Sequence, residues 1–259
     1  VKYNTQLKSF QAFTETDGHP FSYVLGILED KRQNLWISTS TGLVKFINAV
    51  NSVQNPQYKI YDIEDGLQGR QFNYNAYFKS QSGEMFFGGT NGFNSFFPDQ
   101  IKDNPYSPQV VLTNLKIFNE SVPVKQKFRN RVVLNKSLSE TEELILSYKD
   151  YVFSIEFAAT HFTHPSKNKF AYILEGFEKK WNYTDASQRT AIYTNLDPGK
   201  YVFRVKGSNN DGVWNERGAS VKIIIIPPFW QTWWFRGGLI GLIAVLIYVS
   251  FRIRLNVAK

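Results

Sequence analysis

Apolar and polar residues alternate along most of this 259-residue chain, and the alternation stops abruptly near its end. In the stretch Lys200–Gly207, Tyr201, Phe203 and Val205 fall on one face, and Lys200, Arg204 and Lys206 on the other. This two-residue period marks a strand with one buried side. Similar short runs at Val110–Phe118, Leu144–Tyr148, Val152–Phe157, Phe170–Leu174, Ala191–Thr194 and Val221–Ile226 predict seven strands. Turn residues separate them, as at Asp197-Pro198-Gly199, where proline presets φ and glycine is expected to take the left-handed position. Seven short strands joined this way predict an immunoglobulin-like β-sandwich over residues 110–227.

The first hundred residues carry a different rhythm. Leu35-Trp36-Ile37, Thr41-Gly42-Leu43 and Phe46 recur 50 positions later as Met85-Phe86-Phe87, Asn91-Gly92-Phe93 and Phe96. Phe10, Phe13 and Asp17-Gly18 recur 48 positions later as Tyr58, Tyr61 and Asp65-Gly66. A period of this length, made of short aromatic strands and glycine turns, is that of a propeller blade. Val24–Leu28 and Leu35–Ile37 suit inner strands. Two blades do not close a ring, so residues 1–103 are expected to be the last blades of an incomplete propeller, with earlier blades preceding this piece. Pro98, Pro105 and Pro108 end the pattern, and residues 104–109 read as a linker.

From Pro227 the pattern changes to continuous apolarity. Gly237–Phe251 is uncharged over 15 residues, or about 22 Å of helix, short of a ~30 Å hydrocarbon core. Starting at Trp233 gives 19 residues and about 28 Å, with Arg236 near the outer boundary, where it snorkels. Trp230, Trp233 and Trp234 precede the run, and Arg252, Arg254 and Lys259 follow it. This is the order of aromatic belt, apolar span and basic cytoplasmic flank. Residues 233–251 are therefore expected to cross a bacterial inner membrane. Residues 1 to about 232 would lie in the periplasm, and 252–259 would form a cytoplasmic juxtamembrane segment. Pro227 and Pro228 would stiffen the joint by fixing φ. Pro227, Pro228, Trp233, Trp234 and Arg236 are thus the candidate transmission and interface residues. Gly237 and Gly241 form a Gly-x-x-x-Gly pair suited to helix–helix contact in a homodimer.

Charge and composition narrow the function. The net charge of +8 comes from the sandwich region and the tail, in scattered rather than patched basic residues, so nucleic acid is not an expected partner. Cysteine is absent, which removes disulfides, thiolate metal sites and cysteine nucleophiles. The chain begins with Val1 and its only methionine is Met85, as expected of an internal or processed piece.

Four motifs tempt a catalytic or metal reading. His161 and His164 form the one histidine pair, with Glu156 the nearby carboxylate, and lack further ligands. Ser208-Asn209-Asn210-Asp211-Gly212 reads as a hairpin turn rather than a calcium loop, since it lacks the rest of an EF-hand. Gly88-Gly89-Thr90-Asn91-Gly92 lacks the Lys-Ser/Thr of a phosphate loop. Glu140, Glu142 and Glu143 read as a solvated loop rather than a glycosidase pair. No catalytic residue, metal site or cofactor is expected.

Two resemblances join these readings. Ile27-Leu28-Glu29-Asp30-Lys31-Arg32-Gln33-Asn34-Leu35-Trp36-Ile37-Ser38-Thr39-Ser40-Thr41-Gly42-Leu43 resembles the repeat of the two-component regulator propeller family. It departs from it at Gln33 and Ser38, where the family has glycine. Gly83–Phe93 is a more diverged copy. Tyr172, Trp181, Tyr193, Tyr201 and the segment Asn209–Trp214 resemble the triple-tyrosine (Y_Y_Y) domain that follows such propellers, and the Pro227-Pro228-Phe229-Trp230 exit fits it. The resemblance implies an all-β extracytoplasmic sensor, with propeller, sandwich and one transmembrane helix, from a hybrid two-component histidine kinase that regulates transcription. It also implies an oligosaccharide signal. Trp36 reads as packing, and Trp214 as the surface residue best suited to stack on a sugar. A membrane-anchored carbohydrate-active enzyme and a glycan-binding surface protein are the alternatives.

Overall fold

The structure, a computed structural model, describes residues 2–4, 8–11, 20, 23–49 and 56–257. Phe13, Asp17, Gly18 and Lys259 lie outside the described residues. The chain forms two compact units, Val1–Asp103 and Asn104–Lys259.

In the first unit, β1 (Lys2–Asn4) and β2 (Ser9–Gln11) form a hairpin. A four-stranded antiparallel sheet follows, made of β3 (Val24–Glu29), β4 (Leu35–Thr39), β5 (Leu43–Ile47) and β6 (Gln57–Tyr61) in that order. A three-stranded sheet of β7 (Phe72–Lys79), β8 (Met85–Gly89) and β9 (Gly92–Phe96) comes next. These are two propeller blades. Trp36, Leu43 and Tyr61 of the first share one core with Phe72, Met85 and Phe87 of the second. Gly26 is required at this seam, because a Cβ there would overlap the Tyr77 ring.

The repeat is visible in the hydrogen bonds. In the first blade, Asp30 N–H donates to the Asn34 carbonyl at 3.0 Å and Gln33 N–H to the Asp30 carbonyl at 3.2 Å. Fifty residues on, Ser80 N–H donates to Glu84 and Gly83 N–H to Ser80, at 2.8 and 3.0 Å. Gln33 takes φ +63° where its repeat has Gly83 at +93°. Asp30 is the hub of the first turn. Its carboxylate accepts from Arg32 N–H, Asn34 N–H, the Asn34 side chain and Trp36 Nε1 at 2.8–3.0 Å. Trp36 is fully buried, anchored at one end and packed on Phe96 at 4.7 Å.

The second unit is a sandwich. One sheet runs β11 (Glu120–Ser121), β10 (Val110–Ile117), β15 (Val152–Ala159), β18 (Thr190–Thr194). The small hairpin of β12 (Lys127–Phe128) and β13 (Arg131–Val132) follows β11 in the chain. The facing sheet runs β14 (Glu143–Ser147), β20 (Trp214–Ile226), β19 (Gly199–Ser208), β16 (Lys169–Glu175), β17 (Asn182–Asp185), with β14 and β20 parallel. Alternate residues of both sheets fill the space between them. Leu115, Ile155, Phe157, Phe203 and Ile223 are essentially excluded from water.

Three details differ from the sequence reading. The last strand begins at Trp214, seven residues before Val221. Its first half is polar because it lies at a bulge opposite Val205–Gly207, where Gly218 has φ +56° and a Cβ would overlap the Val205 carbonyl. Before β19, the left-handed residue is Asn195 (φ 52°), while Gly199 starts the strand. The short amide side chain of asparagine tolerates that conformation. Beyond the sandwich, α1 spans Trp233–Val257, six residues past the expected end of the membrane span.

Candidate functional site

The two ends of the sandwich have distinct tasks. At the end where the linker joins, Asn209 organises the turn after β19. Its side-chain oxygen accepts from Asp211 and Val213 N–H groups at 2.9 Å. Its amide nitrogen donates to the carbonyls of Asn104 and Tyr106 at 2.8 and 2.9 Å. Asp211 returns the contact by accepting from Asn104 N–H at 2.6 Å. His161 lies buried beside this group, with Nε2 3.1 Å from Asn104 Nδ2 and Nδ1 3.1 Å from Asn168 Oδ1. The oxygen-rich turn and the histidine are thus a latch for the linker. The sequence showed a hairpin turn but not what the turn holds.

At the other end lie the Phe118–Asn119 turn, the Tyr148–Tyr151 loop, the Asn195–Pro198 loop and the exit from β20. The register establishes this, since Ile117 pairs with Phe153, Ser147 with Ile226, and Gly199 with Ile225. Tyr148 N–H continues the parallel ladder to the Ile226 carbonyl at 3.1 Å. Pro227 is exposed, whereas Pro228 is buried with φ −63°. A 3-10 turn at Phe229–Gln231 then leads into α1 through Thr232, whose carbonyl accepts from Arg236 N–H at 3.2 Å.

Rings link the exit to the helix. Tyr148 and Trp230 meet edge-to-face at 5.4 Å, Trp230 and Phe229 at 5.0 Å, Phe229 and Phe235 at 5.2 Å, and Phe235 and Trp234 at 6.0 Å. Perpendicular aromatic pairs at these spacings attract beyond their area. Trp233 and Trp234 are 86% and 58% exposed, as is Arg236, and they project from the sandwich. Tyr148 and Phe235 complete this joint and were not singled out by sequence. A tyrosine placed after the β14 pattern was the available signal. The segment Trp233–Ser250 is long and apolar enough to cross a membrane, and none of it is buried in the protein. A Cβ added at Gly237 or Gly241 would meet nothing within 4 Å, so that face of the helix is open.

The three tyrosines serve the core. Tyr193 is buried, and burial followed by the Glu178 carboxylate pushes its phenol well above the ordinary value, keeping it protonated. Its hydroxyl donates to Glu178 at 3.3 Å. Glu178 also accepts from Leu174 N–H and the Asn182 side chain, each at 2.6 Å, which pins the loop after β16. Burial first, then Glu178, raises Tyr172 as well. Tyr201 donates to the Asp197 carbonyl at 2.9 Å, closing the loop before its own strand. Trp214 is half-buried. Lys206 Nζ lies 5.4 Å from its ring centre and 5.0 Å from that of Trp181, and pairs with Glu216 at 2.8 Å. Tyr183 meets Trp214 edge-on at 6.1 Å. Lys206 thus lies over both tryptophan rings.

Residues 161–225 match the Y_Y_Y domain. Over 218 residues, 84% of this chain, the sequence is 39% identical to Histidine kinase P4 of Formosa agariphila, of which it covers 15%. The fold resembles the extracellular domain of a hybrid two component system from B. thetaiotaomicron, with TM-score 0.66 and 26% identity. That match covers 87% of this chain and 29% of the other. The chain therefore spans well under two thirds of either relative. It carries a Y_Y_Y match over residues 161–225 and is similar, over most of its length, to a region of a histidine kinase and to the extracellular domain of a two component system.

Proposed function

We propose that this region senses a glycan or oligosaccharide outside the cell and passes the signal through the inner membrane to a kinase that regulates transcription. Further blades complete the propeller. The helix delivers its basic end, with Arg252 and Arg254, to the cytoplasm, as the positive-inside bias favours. Two copies pair through the open Gly237–Gly241 face.

One observation carries the reading. The route from β20 to α1 consists of a ladder hydrogen bond, a buried proline, a 3-10 turn and a run of packed rings, with no glycine between Pro227 and Trp233. Such a joint moves the helix when the sandwich moves. Within the sandwich, Trp214 is the residue offered as a sugar contact.

The test uses the whole receptor in membrane vesicles, titrated with a panel of oligosaccharides while autophosphorylation is followed. Calorimetry on the complete ectodomain runs alongside. One class of glycan is expected to bind and change phosphorylation, and Trp214→Ala is expected to weaken that binding severalfold. If no glycan binds, the proposed signal class is wrong. If affinity is unchanged in Trp214→Ala, the sandwich contact is wrong.

A further inference from the structure

The exit end of the sandwich combines aromatic rings and cations close to the point where α1 leaves it. Tyr151 is 53% exposed and stacks edge-on against Phe118 at 4.7 Å. Lys149 is exposed beside it, with Nζ 5.9 Å from the Tyr148 ring. Arg129 lies over the Phe118 ring at 4.6 Å, and Lys200 is exposed at the start of β19. The acidic groups of this end are largely engaged. Asp150 is buried and bonded to Arg131, and Glu120 faces Arg129 at 3.5 Å, leaving Asp197 exposed. Rings with cations at the tip of a loop suit a phospholipid interface, where tyrosine sits at headgroup level and lysine reaches phosphate.

Chain length decides whether that end can stand clear of the bilayer. Six residues, 227–232, separate the last strand from α1. Two prolines at about 3.1 Å each and four residues in or near a 3-10 turn at about 2.0 Å each reach roughly 14 Å. The headgroup layer takes up about 5–7 Å of this on each side of the hydrocarbon. Trp230 shortens the reach further by folding back onto Tyr148. A lysine side chain extends about 6 Å, and charges act over a Debye length of about 8 Å. With α1 entering the membrane at Trp233, the Tyr148–Tyr151 loop lies within about 9 Å of the headgroup layer, inside the reach of a lysine side chain and its field.

We propose that the exit end of the sandwich, centred on the Tyr148–Tyr151 loop, rests on that leaflet and binds the phosphates of anionic phospholipids through Lys149 and Lys200. The proposal depends on α1 spanning the membrane, and it makes the lipid a partner of the sandwich as well as of the helix. The sandwich would then be held at a fixed height, so that a signal rotates or slides it rather than tilting it on its stem.

The chain has no cysteine, so single cysteines can carry a fluorophore. Thr194 lies at the exit end beside Tyr151, whose carbonyl accepts from Asn195 N–H; Thr163 is exposed at the opposite end, and Leu242 lies mid-helix. Thr194→Cys, Thr163→Cys and Leu242→Cys are each labelled in the full chain, in nanodiscs containing phosphatidylglycerol. Lipids with a nitroxide on the headgroup or on the acyl chain serve as quenchers. The acyl-chain nitroxide should quench the Leu242 label. The headgroup nitroxide should quench the Thr194 label severalfold more than the Thr163 label, and more when carried on phosphatidylglycerol than on phosphatidylcholine. Lys149→Glu with Lys200→Glu should abolish that lipid preference.

Quenching at Leu242 with equal, weak quenching at Thr194 and Thr163 would overturn the contact while leaving the membrane span intact. No quenching at Leu242 would overturn the span and the proposal together. Quenching at Thr194 that ignores lipid charge and the double substitution would overturn phosphate binding.

Discussion

Gln33 and Gly83 occupy equivalent turns in the two blades, but only one of them is a glycine. A residue with a Cβ pays about 1–2 kcal/mol for the left-handed conformation, and glycine gives back roughly 0.5–1 kcal/mol of this as unfolded-state entropy. Gln33→Gly is therefore expected to stabilise the first unit by up to about 1 kcal/mol in urea denaturation, and Gly83→Ala to destabilise it by a similar amount. Three residues earlier, Asp30 accepts four hydrogen bonds, and Asp30→Ala leaves buried donors without an acceptor, at about 2 kcal/mol. Burial alone would raise the Asp30 carboxyl, but the bonds from Asn34, Trp36 and Arg32 hold it below its ordinary value. Its contribution is then complete above the unfolded carboxylate pKa of about 3.9 and is lost as pH falls through the lower folded value. Acid titration of stability should show this loss in the native protein and not in Asp30→Asn. In the sandwich, Tyr201→Phe removes only the bond to the Asp197 carbonyl, and should cost about 1 kcal/mol by thermal unfolding. The repeat showed which residues are equivalent, but not that Gln33 would keep the glycine's backbone angle. Backbone strain leaves no mark in residue type.

At the scale of elements, alternation was a good guide wherever one face of a strand is buried. It located β10, β14, β15, β16, β18 and β19 to within a few residues. It failed at the first half of β20, where Glu216 and Arg217 face water and a bulge breaks the period. It also missed the short β11, β12, β13 and β17, which have too few residues to show a period. The joint was half legible. Proline and tryptophan composition marked Pro227–Trp234, but Tyr148 is distant in sequence and meets Trp230 only because β14 pairs in parallel with β20. Trp230→Ala removes that ring contact, worth about 0.5–1.5 kcal/mol. Because Trp230 is half-exposed, the substitution is expected to leave the unfolding temperature of the ectodomain nearly unchanged. In the whole receptor it should lower the ligand-induced change in phosphorylation. A normal response would remove Trp230 from the path.

For the molecule as a whole, the sandwich is attached at opposite ends. The linker is latched by Asn209 and Asp211 at one end, and the helix leaves through Pro228 and Trp230 at the other. In the proposed mechanism, the buried core between them carries a displacement at the latch to the exit with little absorbed on the way. The proposed transmission requires an exit joint stiff enough to pass this displacement to α1. Inserting a short Gly-Ser segment after Pro228 in the full receptor, and measuring ligand-dependent autophosphorylation in membranes, tests that stiffness. Ligand affinity and ectodomain unfolding should be unchanged, and the phosphorylation response should be lost. A response of native size with the flexible segment in place would contradict the proposed transmission.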